Sequence, residues 1–223
     1  MALSYTPLRI PIDGAAIRGD LLAPPRPRGL VLFAHGSGSS RRSVRNRHVA
    51  ERLAERGLWA LLLDLLTEEE ILEDARTEAY RYDVRLLAER VVAAIDWAAR
   101  EHPERAVGLY GSSTGAAAAL LAAAARPDRV GALVSRGGRP DLVGDALGRV
   151  VAPTLALVGS EDPVVLELNR DSLPRLAGPC RIEVIPGAGH LFEEPGALDR
   201  VANAAADWFL QHLAAWQDRP APA

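Results

Sequence analysis

Ala106-Val107-Gly108-Leu109-Tyr110-Gly111-Ser112-Ser113-Thr114-Gly115, followed by the alanine and leucine run of residues 116–125, decides how this chain folds. Val107, Leu109 and Tyr110 read as a buried strand, and the residues after Gly115 are strong helix formers. Between them Gly111 to Gly115 fits the pattern G-x-S-x-G, with Ser113 at its centre. Two glycines allow strand and helix to pack around a sharp turn where side chains would collide. A turn of this kind lifts the serine hydroxyl above the sheet edge, at the positive end of the following helix. Ser113 is therefore the candidate nucleophile.

Outward from this turn the chain alternates strands with helices. Residues 8–12 and 15–22 read as two strands joined at Asp13-Gly14, a hairpin signal. Residues 30–34 and 58–63 are continuous apolar runs, as expected for strands buried on both faces of a parallel sheet. Residues 44–56 have helical spacing and stop at Gly57, and residues 83–100 form an amphipathic helix. Residues 65–81 are acidic and carry no clear period, with Glu68, Glu69 and Glu70 on a solvated helical face. Further strands are expected over 130–135, 153–158 and 181–185. Helices are expected over 165–176 and 196–216, with only a short one over 141–147. The prediction is an α/β fold with a mostly parallel sheet, helices on both faces and an N-terminal antiparallel hairpin. Residues 1–217 read as one domain, with a frayed tail over 218–223.

In open sheets of this kind ligands sit beyond the carboxyl ends of the strands. Four strand-end loops carry reactive or glycine-rich sequence: residues 35–40, 111–115, 159–163 and 186–191. A serine hydroxyl needs a neighbouring base. His190, isolated in a glycine-rich loop, is the candidate, because His35 opens an earlier loop and His48, His102 and His212 lie on or beside helices. Asp162, with Glu161 and Asp64 as competitors, is the candidate acid that orients it, in the order Ser, Asp, His. A tetrahedral intermediate also needs preset donors for its oxyanion. The Thr114 N–H is one; the second is expected from the Ser37 N–H, with Gly38 as the alternative. Gly36 and Gly38 would let backbone approach the substrate. Arg41, Arg42, Arg45 and Arg47 read as a solvated helix start. In a second reading they, and Arg136, receive a substrate carboxylate or phosphate.

The His-Gly loop, the glycine-flanked serine, the strand-end aspartate and the late histidine together resemble the α/β-hydrolase superfamily over nearly the whole chain. Asp64-Leu65-Leu66-Thr67, Ser135-Arg136-Gly137-Gly138-Arg139-Pro140 and His190-Leu191-Phe192-Glu193-Glu194-Pro195-Gly196 resemble its dienelactone-hydrolase-like branch. Dienelactone hydrolases proper use a cysteine nucleophile, whereas Ser113 stands at that position here. The resemblance implies a carboxylic-ester hydrolase with the triad Ser113, His190 and Asp162. Relatives of this branch are sometimes joined to a phosphoribosyltransferase domain, which nothing in these residues suggests. Residues 136–152 hold too little for a helical cap, so an open site for small or short-chain esters is expected.

Composition narrows the alternatives. The 223 residues are 48% hydrophobic and 25% charged, with a net charge of −3, which does not favour nucleic acid or a membrane surface as partner. All 26 basic residues are arginine, so no P-loop lysine exists. Scattered histidines and the single Cys180 form no metal-ligand cluster, and no cofactor is called for. No secretion signal or apolar span of about 20 residues is present, so the expectation is a cytoplasmic enzyme, monomeric or homodimeric, with a small-molecule substrate. The same residues also fit thioester cleavage, acyl transfer, or a binding protein with little turnover.

Overall fold

The computed structural model describes residues 4–217, so the tail assigned to residues 218–223 lies outside the described residues. Eight strands form one sheet: β1 (Tyr5–Ile12), β2 (Ala15–Leu22), β3 (Leu30–Ala34), β4 (Trp59–Leu63), β5 (Val107–Ser112), β6 (Val130–Arg136), β7 (Thr154–Gly159) and β8 (Cys180–Ile185). Their order is β1-β2-β4-β3-β5-β6-β7-β8. The β1–β2 hairpin and the β2–β4 pair are antiparallel, and the other five pairs are parallel. This is the α/β-hydrolase fold.

The apolar runs are continuous because both faces of the inner strands are covered. Along β3, Leu30, Leu32 and Ala34 face one cluster while Val31 and Phe33 face the other. The first cluster is closed by α3 (Val84–Glu101) and α4 (Thr114–Ala125), the second by α1 (Val44–Glu55) and α6 (Ala197–Gln217). Helix α4 lies between the sheet and its helical neighbours, and ten of its twelve residues are buried. Alanine suits that place: it is the best helix former and lets backbones approach closely.

Three elements differ from the sequence reading. The unassigned acidic stretch contains a real helix, α2 (Glu68–Thr77). Thr67 accepts from the Glu70 N–H, and the Glu70 carboxylate accepts from the Thr67 N–H at 2.7 Å, a reciprocal cap. Helix α5 (Pro163–Ser172) starts two residues earlier than expected, with Pro163 at its first position, where the missing N–H costs nothing. Between β6 and β7 there is only a tight 3₁₀ segment, Pro140–Arg149, broken at Gly144. Among the described residues no cap domain rises over the carboxyl ends of the strands.

Candidate active site

Ser113 leaves β5 with φ 52° and ψ −122°, a backbone conformation that side chains other than glycine rarely adopt. The flanking glycines make the turn possible. A Cβ at Gly115 would press into the carbonyl oxygens of Ala34 and His35, and one at Gly111 into the backbone of Ala116 and Gly115. The turn is held to the neighbouring strand by the Ser113 N–H, which donates to the Arg136 carbonyl at 3.1 Å. Thr114 is the first residue of α4, where an N–H has no acceptor within the helix.

Asp162 and His190 are joined by loops that lie against each other. The Ser160 N–H donates to the Ile185 carbonyl and the Glu161 N–H to the Ala188 carbonyl, both at 3.0 Å. The Ala188 backbone passes so close to Gly159 that a Cβ there would meet its carbonyl oxygen. The result is a 2.6 Å contact between His190 Nδ1 and Asp162 Oδ2, with the Asp162 side chain 14% exposed. Of the competing acids, Glu161 turns outward to the Ser160 hydroxyl at 3.0 Å. Asp64 is bonded to the Arg41 N–H at 2.8 Å and to its guanidinium. Phe192 anchors the histidine loop by burying its ring in the core while its backbone sits at φ 55°.

With Nδ1 occupied, Nε2 is the ring nitrogen of His190 left for chemistry. Ser113 and His190 line one cavity, about 230 Å³, together with Gly36, Ser37, Ser39, Ser43, Arg45, Arg136 and Leu191. No hydrogen bond joins the serine hydroxyl to the imidazole; such contacts often tighten only with substrate bound. The other histidines are engaged elsewhere: His48 with Asp199 at 2.8 Å, His102 against Trp59 and Trp97, and His212 against Trp208.

The loop after β3 requires a correction. The Ser37 N–H, expected to be a free oxyanion donor, donates instead to the Thr114 hydroxyl at 2.8 Å. Thr114 directly follows Ser113, and its side chain reaches across to the loop to accept from that amide. Gly36 lines the Ser113 cavity, but Gly38 does not. It lies on the far side of the loop, with Leu66, Ile71 and Leu87, in a second cavity of about 180 Å³. Arg41 and Arg47 also depart from the solvated reading. They pair with Asp20 at 3.1 and 2.7 Å, and Arg41 pairs with Asp64 as well, which clamps the loop to β2 and to the end of β4.

His35 completes that clamp. Its Nε2 accepts from the Leu65 N–H at 3.2 Å, which places the ring proton on Nδ1, 2.9 Å from the Gly36 carbonyl. Burial lowers its pKa below the ordinary 6.5, because the charged ring would be stranded away from water. The folded state thus keeps His35 neutral where the unfolded chain has already taken up a proton. Its contribution to stability is complete above about pH 6.5 and is lost as pH falls from there toward the folded-state pKa. Thermal melts should show His35→Gln with a shallower loss of Tm below pH 6.5 than the wild type. Parallel slopes in the two proteins would contradict the assignment.

Arg136, at the end of β6, is 7% exposed. One guanidinium nitrogen, Nη2, reaches the Asn46 side-chain oxygen at 3.4 Å, and the Nε is buried with no partner. The guanidinium stands 5.7 Å from the centre of the Phe192 ring. Tyr110 adjoins it, but burial pushes the phenol pKa up to about 12, so it stays neutral. A buried ion typically costs several kcal/mol unless it is compensated.

Comparison with known proteins identifies the family. A family model described as the dienelactone hydrolase family matches residues 17–217. The solved structure of a dienelactone hydrolase from Anabaena variabilis is 49% identical, with a TM-score of 0.93 over 96% of this chain and 100% of that one. An esterase of Pyrobaculum calidifontis, 16% identical, has a TM-score of 0.72 over 93% of this chain and 84% of its own, a likeness of fold alone. Two Mycobacterium tuberculosis proteins that carry the name of a phosphoribosyl transferase are 54% identical over 200 residues. That match covers 88% of this chain but 44% of theirs, so the chain spans less than half the length of these relatives. Among the described residues no helix is long and apolar enough to cross a membrane.

Proposed function

This chain belongs to the dienelactone hydrolase family of α/β hydrolases, and we propose that within it the protein cleaves small or short-chain carboxylic esters through an acyl-enzyme on Ser113. The observation that carries this reading is the 2.6 Å Asp162–His190 pair opening on the same cavity as a serine held in a strained turn. Asp162 fixes the imidazole so that Nε2 can accept the Ser113 proton as the hydroxyl attacks the ester carbonyl. The aspartate also stabilises the imidazolium that results. His190 then gives the proton to the leaving alcohol, and water repeats the sequence on the acyl-enzyme. The oxyanion meets the Thr114 N–H at the start of α4. The Ser37 N–H contributes only by sharing or releasing its bond to the Thr114 hydroxyl.

Two features limit the acyl group. The Ser113 cavity is small, about 230 Å³, and no cap supplies the apolar walls that a long chain requires. The name borne by the Mycobacterium relatives describes chains more than twice as long as the matched segment, and that segment lies in the hydrolase fold described above. Hydrolysis of p-nitrophenyl acetate, butyrate and octanoate tests the reading. Acetate and butyrate should be turned over with kcat/KM at least about tenfold above octanoate, since each lost or unplaced methylene in a pocket is worth about 1–3 kcal/mol. Faster hydrolysis of octanoate, or activation at a lipid emulsion, would contradict it.

A further inference from the structure

Arg136 is a buried cation that no carboxylate among the described residues pairs with. Among the described residues its neighbours are neutral: the Asn46 oxygen at 3.4 Å, the Phe192 ring and the adjoining Tyr110 phenol. The nearby loop arginines do not share this condition, because Arg41 and Arg47 are neutralised by Asp20 and Asp64. Arg136 lines the cavity that holds Ser113 and His190. Arg45 lines the same cavity with its Nε buried and unpartnered, while its Nη1 is tied to Glu193 at 2.9 Å. Ser37, Ser39 and Ser43 complete that wall, and Ser43 is the residue from which the twelve-residue α1 begins.

From this we propose that the arginine-lined wall of the cavity is a phosphate subsite and that the ester cleaved at Ser113 carries a phosphate group on its alcohol side. The proposal rests on the reading of Ser113 as the nucleophile. A carboxylate is planar, and one guanidinium fork satisfies both of its oxygens. Here Arg136, Arg45 with its Nη1 paired to Glu193, Ser37, Ser39 and the Ser43 cap of α1 line one small space. Donors arriving from several sides suit a tetrahedral group with three acceptor oxygens and a charge near −2. On the alcohol side the phosphate sits beside His190, which must reach the leaving oxygen to protonate it.

Two measurements separate this proposal from the hydrolase reading. The first is calorimetric titration of inorganic phosphate, and separately of acetate, into the Ser113→Ala protein, which needs no turnover. Phosphate should bind at one site, with acetate weaker by about tenfold or more, and Arg136→Gln in that background should weaken phosphate by about tenfold or more. Arg136→Lys, which keeps the charge, should recover part of the loss. Arg45→Gln, on the outer wall, provides a second variant that leaves the core intact. The other measurement is kcat/KM for 2-acetoxyethyl phosphate relative to uncharged 2-methoxyethyl acetate, where the ratio should exceed about ten and collapse in Arg136→Gln. Phosphate binding that depends on Arg136, with neither ester hydrolysed, upholds the subsite and removes the hydrolase reading. Turnover of both esters at equal rates with no phosphate bound removes the subsite and leaves the hydrolase reading. Equal binding of acetate and phosphate also overturns the proposal, since it marks a carboxylate site.

Discussion

Ser113→Ala is expected to lower the turnover of p-nitrophenyl acetate by about 10⁴–10⁶-fold, the loss that follows removal of the nucleophile in serine enzymes. The side chain has no structural task that could explain such a loss. It forms no cap bond to α4, and the turn is held through the backbone, by the Ser113 N–H on the Arg136 carbonyl. Tm should therefore stay within a few degrees of wild type while kcat collapses. Residual activity comparable to wild type would mean that the ester is attacked by another group. A matching loss of Tm would mean that the turn, and not the hydroxyl, had been damaged.

Asp162→Asn should cost about 10⁴-fold in kcat with little change in KM. The 2.6 Å contact at Nδ1 keeps the ring proton on that nitrogen and leaves Nε2 free to accept. An amide at position 162 can present its NH₂ to Nδ1 instead, which moves the ring proton to Nε2 and removes the base. Glu161→Gln is the matched control. Its carboxylate contacts the Ser160 hydroxyl and not His190, so kcat should change by no more than about threefold. A larger loss at Glu161 than at Asp162 would reassign the acid.

The parts of this site that the sequence made legible are those written in local punctuation. Gly111 and Gly115 mark the turn because no side chain fits there, and Gly159 and Gly189 bracket the aspartate and histidine loops. The apolar runs at β3, β4 and β5 reveal two-sided burial without any knowledge of their partners. The Ser37–Thr114 bond was not legible, because it joins residues 77 positions apart and neither has a pattern that selects the other. The same holds for Arg41, whose neutralising partners Asp20 and Asp64 lie 21 and 23 positions away. A cluster of four arginines reads as solvated until the chain brings acids to three of them, Arg41, Arg45 and Arg47. Helix α2 is a different case, since its signal was present: Thr67 with Glu70 three residues on is a capping box, hidden by the acidic run it opens. The β6 boundary mattered most. The strand runs one residue past the expected Ser135, and that residue is Arg136, which the ladder carries into the Ser113 cavity.

Covalent capture of the nucleophile tests the central claim most directly. Wild-type protein is treated with a fluorophosphonate, and the intact mass and the peptides are then read by mass spectrometry. The account predicts one phosphonyl group per chain, located on Ser113, and no adduct in Ser113→Ala. Stoichiometric labelling of another residue, or an unmodified wild type under conditions where it hydrolyses p-nitrophenyl acetate, would contradict it.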